Sequence, residues 1–189
     1  MNGLPLQSHP MHTHLDSVLF HEQTILRRLD EMGAQITEDY EGKNLCVLAI
    51  MHGGLVFMAD LFRRIHLPLK VECLSVESYH GGTESSGTVT FNQLRMPDFS
   101  GEHVLIVDDI LDSGRTLKAI TERISAECHP ESVKICVLLD KKAVRAETVD
   151  PDYAGFEIGD EFVVGYGLDY QGRYRNLPLI GILKPEHIE

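Results

Sequence analysis

The chain has 189 residues, of which 43% are hydrophobic and 24% are charged, a composition typical of one globular domain. Its formal net charge of −12 argues against a nucleic-acid binder, because such a protein needs a basic face to neutralise phosphates. A small phosphorylated ligand is still compatible with this charge, since a local cluster of donors with a divalent cation can oppose the overall negative field.

The N-terminus and the cysteines indicate where the protein works. The N-terminus lacks a charged segment followed by an apolar one, and no apolar run reaches the roughly 18–20 residues needed to span a bilayer. We therefore expect no signal peptide and no membrane contact. Three cysteines lie in apolar runs, where a free thiol behaves as a small hydrophobic side chain: Cys46, Cys73 and Cys136. This usage predicts reduced core cysteines in a cytoplasmic protein.

The N-terminal region shows a change of pattern near residue 15. Residues 1–14 are rich in Pro, Gly, Gln and His without a hydrophobic period, which predicts a flexible tail before a single domain at 15–189. The tail histidines could bind a metal, although such clusters usually have no structural role: His9, His12 and His14. From Leu15 onward the spacing of apolar residues is helical, with Asp16 or Ser17 as a cap. The apolar positions of this predicted helix are Val18, Ile25, Leu26, Leu29 and Met32.

Apolar runs further along the chain predict the strands. Three continuous runs indicate central strands buried on both faces, as in a parallel sheet, at 45–51, 103–109 and 133–140. Shorter or alternating runs predict additional strands at 71–77, 88–93, 156–158, 162–165 and 179–183.

Amphipathic segments follow the first two central runs and predict helices. One begins after His52-Gly53-Gly54 and ends before Pro68, with an apolar face formed by Leu55, Met58, Leu61, Phe62 and Ile65. The other is Arg115–Glu127, with an inward face formed by Leu117, Ile120 and Ile124. Strands that alternate with helices in this way predict an α/β fold with a mainly parallel central sheet flanked by helices.

The most informative stretch is 104–117, VLIVDDILDSGRTL, in which a buried strand ends in Asp108 and Asp109. Ligands of an open parallel sheet bind beyond the carboxyl ends of its strands, and adjacent acids there point to opposite sides. The loop that follows leads into a helix N-terminus, which predicts a phosphate site. Carboxylates beside a phosphate require sugar hydroxyls or Mg²⁺ between them. Taken alone, these residues also allow an acidic turn followed by a capped helix.

This stretch resembles the motif with which type I phosphoribosyltransferases bind 5-phosphoribosyl 1-pyrophosphate (PRPP). The shared pattern is four apolar residues, two acids, two apolar residues and then DSGxT. The resemblance implies that Asp108 and Asp109 engage the ribose hydroxyls, directly or through Mg²⁺, and that Asp112 is the general acid/base at N7 of a purine. The loop around the 5′-phosphate would consist of Asp112, Ser113, Gly114, Arg115 and Thr116.

From about residue 45 to 183 the chain resembles the bacterial hypoxanthine-guanine phosphoribosyltransferases. By this resemblance Lys141 binds the purine 6-oxo group, and it would disfavour adenine because two donors would then face each other. Phe162 would stack on the purine, and Val163 would present its backbone to the purine edge. Taken singly, Lys141 could instead belong to a solvated pair with Lys142, and Phe162 could be a core side chain.

The resemblance also assigns the pyrophosphate and metal ligands. Pyrophosphate would be held by His52, Gly53, Gly54 and Arg175. Mg²⁺ would be held by Asp169, Asp108 and Asp109, with Asp169 also lining the purine site. A mobile loop that closes over the site would begin at Ser78 and Tyr79.

Two residues depart from the family pattern. Asp108 stands where this subfamily often has Glu, so its reach is shorter by one methylene. His52 stands where the family usually has a basic residue, next to a position that often has a cis peptide, here Met51–His52. A histidine would hold pyrophosphate through a ring N–H or only when protonated, which predicts PRPP affinity that varies with pH near 6–7.

The resemblance implies a purine salvage enzyme of the type I phosphoribosyltransferase fold, with a small hood formed by parts of 15–40 and 155–189. It would catalyse Mg²⁺-dependent transfer of the 5-phosphoribosyl group from PRPP to N9 of hypoxanthine or guanine, giving IMP or GMP and pyrophosphate. The alternatives are a xanthine-guanine phosphoribosyltransferase and a non-catalytic PRPP-sensing regulator. By the same resemblance we expect a homodimer or homotetramer.

Overall fold

The computed structural model describes residues 10–78, 89–91 and 96–188 of the chain. The helices are α1 (Glu22–Asp39), α2 (Gly54–Leu61) and α3 (Arg115–Glu127). The strands are β1 (Leu15–Phe20), β2 (Leu45–Met51), β3 (Leu69–Ser78), β4 (Val89–Phe91), β5 (His103–Leu111), β6 (Ser132–Asp140), β7 (Tyr153–Glu157), β8 (Val163–Val164) and β9 (Ile180–Leu183). Single 3-10 turns occur at Pro10–His14, Phe62–Arg64, Lys142–Val144 and Pro185–His187.

A six-stranded sheet in the order β4-β3-β2-β5-β6-β7 forms the centre of the fold. Five of its strands are parallel to their neighbours, and only β4 runs antiparallel, against the end of β3. The predicted mainly parallel α/β sheet is therefore confirmed. Because all five parallel strands run the same way, the loops that follow them emerge at one edge of the sheet.

The central strands are buried on both faces because each face packs on its own layer of helices. Alternate residues of β2 and β5 contribute to one core with α1 and α2, and the residues between them contribute to a second core with α3. In β5, for example, Leu105 and Val107 pack on the α1–α2 side, whereas Val104 and Ile106 pack on the α3 side. This double burial explains why the strand sequences are continuous apolar runs.

The helix after β2 is shorter than the sequence predicts. It ends as an α-helix at Leu61 and continues only as a 3-10 turn over Phe62–Arg64. Leu55, which the apolar spacing places inward, is 44% exposed, while Phe57 is fully buried. The other predicted face residues, Met58, Leu61, Phe62 and Ile65, do pack on the core, so the predicted face is confirmed except at Leu55.

A second sheet joins segments from both ends of the chain in the antiparallel order β1-β9-β8. Here the prediction of a helix from Leu15 is wrong. Residues Leu15–Phe20 are a strand that pairs with β9, and α1 begins only at Glu22. Long-range pairing with a partner far along the chain overrides the local helical spacing. This sheet consists of the N- and C-terminal segments from which the hood was predicted.

The described part of the N-terminal region contacts the C-terminal part of the chain. Pro10–His14 is a 3-10 turn, and the His14 ring nitrogen Nδ1 lies 2.9 Å from the Tyr174 hydroxyl. The His14 ring also stacks on His187 at 4.1 Å between centroids. Met11 and His14 thus contact the C-terminal part of the chain, and the flexible tail at 1–14 stays a prediction. His9 lies outside the described residues.

The cysteines are reduced, and all but one are buried. Burial raises the pKa of the Cys46 thiol to about 12, so this group stays protonated. Cys73 is exposed, contrary to the prediction of a core position, because part of β3 lies outside both cores. Among residues 10–78, 89–91 and 96–188, no helix is long and apolar enough to cross a membrane.

Candidate active site

The sheet positions three loops side by side. In the parallel register Ala49 of β2 lies beside Val107 of β5, and Leu111 of β5 lies beside Asp140 of β6. The segments that follow are His52–Gly54, 112–116 and Lys141. These are the predicted pyrophosphate, phosphate and purine segments, so the structure brings them to the same edge of the sheet. We call them together the sheet half of the site.

Two adjacent carboxylates, Asp108 and Asp109, lie near the carboxyl end of β5, which continues to Leu111. Burial raises the pKa of Asp108 well above its ordinary value, and repulsion from Asp109 raises it further. Burial also raises the pKa of Asp109, although the nearby Arg175 guanidinium opposes this. The backbone N–H of Asp109 donates to the Asp108 carboxylate at 3.0 Å. Two acids side by side, one buried and one partly buried, form a site that favours a cation or hydroxyl donors.

The glycine loop after β2 packs directly against this acid pair. A Cβ atom on Gly53 would lie 1.9 Å from Asp109 Oδ2, and one on Gly54 would lie 2.9 Å from the Val107 carbonyl oxygen. Glycine is therefore needed at both positions, because any side chain would displace the tip of β5. The peptide bond Met51–His52 is cis, as the resemblance predicts.

The loop after β5 has the geometry of an anion site at a helix N-terminus. Gly114 has a left-handed φ of 80° and precedes α3, whose first regular hydrogen bond runs from Lys118 N–H to the Gly114 carbonyl at 2.9 Å. The N–H groups of the first turn therefore point into the loop. Asp112 is exposed at its start.

The predicted purine ligands converge from β6 and from the segment before β8. Lys141 extends an aliphatic stem with only 13% of its side chain exposed, and its Nζ donates to the Glu161 carbonyl at 3.1 Å. Nζ also pairs with Asp160 at 3.0 Å. Lys141 is thus not part of a solvated pair with Lys142, which is 56% exposed and pairs with Glu157.

Phe162 is not a core side chain, because it is 43% exposed. Its ring stands edge-to-face against Tyr170, with centroids 5.5 Å apart and an interplanar angle of 88°. Val163 is buried, and its neighbour Phe162 accepts a hydrogen bond from Leu183 N–H at 3.2 Å. One face of the Phe162 ring can therefore receive a planar ligand.

A turn-rich segment, 162–175, covers the site from the second sheet; we call it the hood half. Arg175 pairs with Asp169 at 2.7 Å and donates to the Gly167 carbonyl at 2.6 Å. Gly167 packs on the glycine loop so closely that a Cβ would lie 2.4 Å from the Gly53 carbonyl oxygen. Through this contact the Arg175 guanidinium lies close enough to interact electrostatically with Asp109 as well as with Asp169.

The predicted metal ligands are not assembled by the protein alone. Within the described ranges, no group of three or more His, Cys, Asp or Glu side chains could hold a metal ion. Asp169 is occupied by Arg175 and by the Gly172 N–H at 2.7 Å. Of the predicted mobile loop, Ser78 is the last residue of β3, and Tyr79 lies outside the described residues.

Sequence reasoning missed Arg145, which borders the phosphate loop. Its Nε donates to the Asp112 carbonyl at 2.9 Å, and its guanidinium pairs with Asp140, which is 4% exposed. Arg145 follows Lys141 in a polar stretch and looks like a solvated charge. No local pattern distinguishes it, because its partners come from two other segments.

Comparisons with known proteins agree with this geometry. Residues 17–171 match the phosphoribosyl transferase domain family. The chain is 47% identical over 176 residues to the hypoxanthine-guanine phosphoribosyltransferase of Staphylococcus aureus strain Mu50, with 93% of this chain and 98% of that protein covered. It is 46% identical over 172 residues to the Lactococcus lactis enzyme of the same description, with 91% and 93% covered.

Solved structures give the same result. A crystal structure of a hypoxanthine phosphoribosyltransferase from Staphylococcus aureus superposes with a TM-score of 0.90 at 46% identity, covering 95% of this chain and 97% of that one. A variant of the Trypanosoma cruzi enzyme in a ternary substrates complex gives a TM-score of 0.85 at 35% identity, covering 92% and 98%. The chain belongs to the phosphoribosyltransferase family and, within it, to the hypoxanthine-guanine phosphoribosyltransferases.

Proposed function

We propose that this enzyme transfers the 5-phosphoribosyl group from PRPP to N9 of hypoxanthine or guanine, with Mg²⁺, and releases IMP or GMP and pyrophosphate. The observation that carries the proposal is the Asp108–Asp109 pair, buried at Asp108 and partly buried at Asp109, which lies two residues before the loop at the N-terminus of α3. An acid pair beside an anion site suits a ligand that combines a sugar with phosphates.

The loop 112–116 is proposed to hold the 5′-phosphate. The N–H groups of the first turn of α3 and the hydroxyls of Ser113 and Thr116 supply donors, and the helix dipole favours negative charge there. The left-handed φ of Gly114 lets the backbone turn around the phosphate. Arg115 adds a positive charge beside it.

Pyrophosphate is proposed to lie between the glycine loop and the hood half. His52 is exposed there, and the backbone of Gly53 and Gly54 approaches the site without a side chain between. Arg175 supplies a guanidinium, which suits phosphate oxygens because it can donate two parallel hydrogen bonds. These donors would stabilise the negative charge that grows on the leaving pyrophosphate.

The carboxylates fit Mg²⁺. This cation commonly takes only one or two protein carboxylates and completes its shell with waters and phosphate oxygens. Asp108 and Asp109 carry an unfavourable buried charge that a divalent cation would neutralise, and Asp169 can share its oxygens between Arg175 and a metal. Bound there, Mg²⁺ would neutralise part of the charge of PRPP. Asp108, Asp109 and Asp169 are therefore the proposed ligands.

The purine is proposed to stack on the exposed face of Phe162, with the Val163 backbone at its edge. Lys141 would donate to the 6-oxo group by exchanging its present acceptors, the Glu161 carbonyl and the Asp160 carboxylate. An adenine amino group would face this ammonium as a second donor, which leaves both unsatisfied. Lys141 therefore selects 6-oxopurines.

In the proposed reaction the C1′–O bond to pyrophosphate breaks as N9 attacks C1′, through an oxocarbenium-like transition state. The proton on N7 passes to the Asp112 carboxylate as the N9–C1′ bond forms. The protein otherwise contributes positioning and electrostatics. The mobile loop predicted to begin at Ser78 and Tyr79 would exclude water, which could otherwise attack C1′ of the oxocarbenium-like species.

The test is nucleotide formation from PRPP, Mg²⁺ and one of hypoxanthine, guanine, xanthine or adenine, with wild type and Lys141→Gln. We expect turnover with hypoxanthine and guanine, none with adenine, and weaker discrimination in the variant. A preference for xanthine would favour a xanthine-guanine enzyme. PRPP binding without turnover of any base would contradict the proposal and indicate a sensor. Light scattering on the same protein would test the expected homodimer or homotetramer.

A further inference from the structure

Arg145 has a largely buried side chain whose guanidinium donates hydrogen bonds to backbone carbonyls and to a carboxylate. Only 13% of its side chain is exposed. Its Nε donates to the Asp112 carbonyl at 2.9 Å, and Nη2 donates to the Leu111 carbonyl at 3.3 Å. The other guanidinium hydrogen bonds reach the Val149 carbonyl and the Asp140 carboxylate.

These partners belong to two functional segments. Leu111 and Asp112 form the junction between β5 and the phosphate loop, whereas Asp140 ends β6 immediately before Lys141. One guanidinium therefore links the start of the phosphate loop to Asp140, the residue that precedes Lys141. A guanidinium can do this because its donors lie in a fixed plane, which a lysine ammonium cannot reproduce.

The residues after Arg145 hold the same loop from its other side. The N–H groups of Ala146 and Glu147 both donate to the Ser113 carbonyl at 3.0 Å. Glu147 also pairs with Lys118 on α3 at 2.8 Å, and this pair lowers the pKa of the Glu147 carboxyl. The carbonyls of 111–113 are thus all bound by the segment 145–147.

We propose that Arg145 is a positioning residue that fixes the phosphate loop, and with it Asp112, relative to the purine site. This inference rests on the proposed function, because Asp112 and the loop are taken to act on PRPP. Arg145 acts through the carbonyls of Leu111 and Asp112 and through Asp140. Its loss would let the loop shift and move the Asp112 carboxylate away from its productive position.

A purely structural role would also explain part of the geometry. Asp140 is 4% exposed, and a buried carboxylate without a cation is costly, so Arg145 could serve only as its counter-ion. The two roles differ once Asp140 is neutral. A counter-ion is then no longer needed, whereas the carbonyls of Leu111 and Asp112 still need Arg145 as their hydrogen-bond donor.

The experiment therefore compares Arg145→Gln, Asp140→Asn and the double variant. For each we would measure kcat, KM for PRPP and KM for hypoxanthine, the PRPP dissociation constant, and unfolding in urea. We expect Arg145→Gln to lower kcat/KM for PRPP by roughly 10–100-fold, as displaced catalytic groups do, with KM for hypoxanthine changed much less. The double variant should regain stability toward wild type but keep the kinetic loss.

Recovery of kcat/KM together with stability in the double variant would overturn the proposal, because Arg145 would then be only the counter-ion. If Arg145→Gln does not fold, Arg145→Lys keeps the charge beside Asp140 and loses the planar set of donors; we expect wild-type stability with the same kinetic loss. Arg123→Gln, which removes an ion pair with Glu127 on α3, is the control and should behave as wild type.

The design separates this inference from the proposed function. If wild type forms no nucleotide, the proposed function fails, and the PRPP dissociation constants of the variants still test whether Arg145 positions the loop. If wild type is active and Arg145→Lys resembles Arg123→Gln in every constant, only the inference about Arg145 fails.

Discussion

The two halves of the site are held in place by different physical means. The sheet half, His52–Gly54 with 112–116 and Lys141, follows strands that are packed on both faces by helices. The hood half, 162–175, is a series of turns with positive φ at Gly165, Tyr166, Gly167, Gln171, Gly172 and Tyr174. The first half is attached directly to the central sheet. The second also has buried side chains, such as Tyr166 and Leu168, but its partly exposed residues, Asp169 and Arg175, are held on turns by hydrogen bonds and one ion pair. We therefore expect changes at Asp112 and Gly53 of the sheet half to cost more activity than changes in the hood half, whereas the His52 ring, which is exposed, should contribute least.

Asp112→Asn is expected to have the largest effect. The amide keeps the size of the side chain but cannot accept the N7 proton, so turnover should fall by roughly 10²–10⁴-fold while PRPP binding stays nearly intact. The measurement is kcat under conditions where chemistry limits the rate, with the PRPP dissociation constant in parallel. Asp16→Asn, on the exposed face of β1, is the matched control. Turnover near wild type would show that Asp112 is not the general acid/base.

Gly53→Ala tests how tightly the sheet half is packed. Gly53 has an ordinary helical φ of −61°, so alanine costs nothing in backbone conformation. Its Cβ would, however, lie 1.9 Å from Asp109 Oδ2 and must displace that carboxylate. We expect kcat/KM for PRPP to fall by roughly 10²-fold, the effect of about 1 Å of misplacement.

Gly101→Ala is the control for this change. Gly101 has a φ of 75° with open space around it, so alanine there should cost roughly 1–2 kcal/mol of stability through the backbone alone and leave activity unchanged. If Gly53→Ala kept full activity, the glycine loop would be more adaptable than its packing indicates, and the contrast between the two halves would disappear.

The same contrast explains what the sequence could predict. β2 and α3 have the predicted bounds because burial on two faces, or on one helical face, leaves a periodic pattern in the residues themselves. β1 was predicted as a helix because its partner, β9, lies at the other end of the chain. The candidate ligands near the strand ends were predicted from a motif. Arg145 was not predicted, since its hydrogen bonds are made to segments that are distant in sequence.

Asp169→Asn probes the hood half and should have a smaller effect. It removes the charge that holds Arg175 and weakens a proposed Mg²⁺ ligand, of which one oxygen remains, so pyrophosphate is held less tightly. We expect KM for PRPP to rise roughly tenfold, about the worth of one charge-assisted hydrogen bond. Because both side chains are partly exposed, the free energy of unfolding should change by less than about 1 kcal/mol. A loss as large as that of Gly53→Ala would contradict the proposed difference between the halves.

Asp108→Asn tests the electrostatic cost of the acid pair in the free protein. Burial raises the pKa of Asp108 above its ordinary value of 3.8, so the folded state binds a proton more tightly than the unfolded state. Stability therefore falls as the pH rises from about 4 through the raised pKa, and this loss persists at neutral pH. The amide removes it, so we expect Asp108→Asn to be more stable than wild type at pH 7.

Urea unfolding at about pH 4 and about pH 7, without PRPP or Mg²⁺, measures this difference. The free energy of unfolding of the variant should rise relative to that of wild type as the pH rises. Its affinity for PRPP should be lower than that of wild type. If wild type and Asp108→Asn were equally stable at each pH, the ionised pair would be tolerated without a cation. That result would remove the main argument for placing Mg²⁺ beside Asp108 and Asp109.

His52 is expected to have the smallest effect, and only on PRPP binding. It stands where the family usually has a basic residue, and a histidine can hold a phosphate oxygen through a ring N–H whether or not it is charged. If the protonated ring helps to hold pyrophosphate, KM for PRPP should rise a few-fold between about pH 5.5 and 8.5 in wild type. His52→Lys should remove this dependence and keep KM low, while His52→Ala should give a flat profile with a higher KM. His66→Ala, at an exposed position on the other side of α2, controls for general titration. Identical flat profiles for wild type and His52→Ala would show that the glycine loop binds pyrophosphate through its backbone alone.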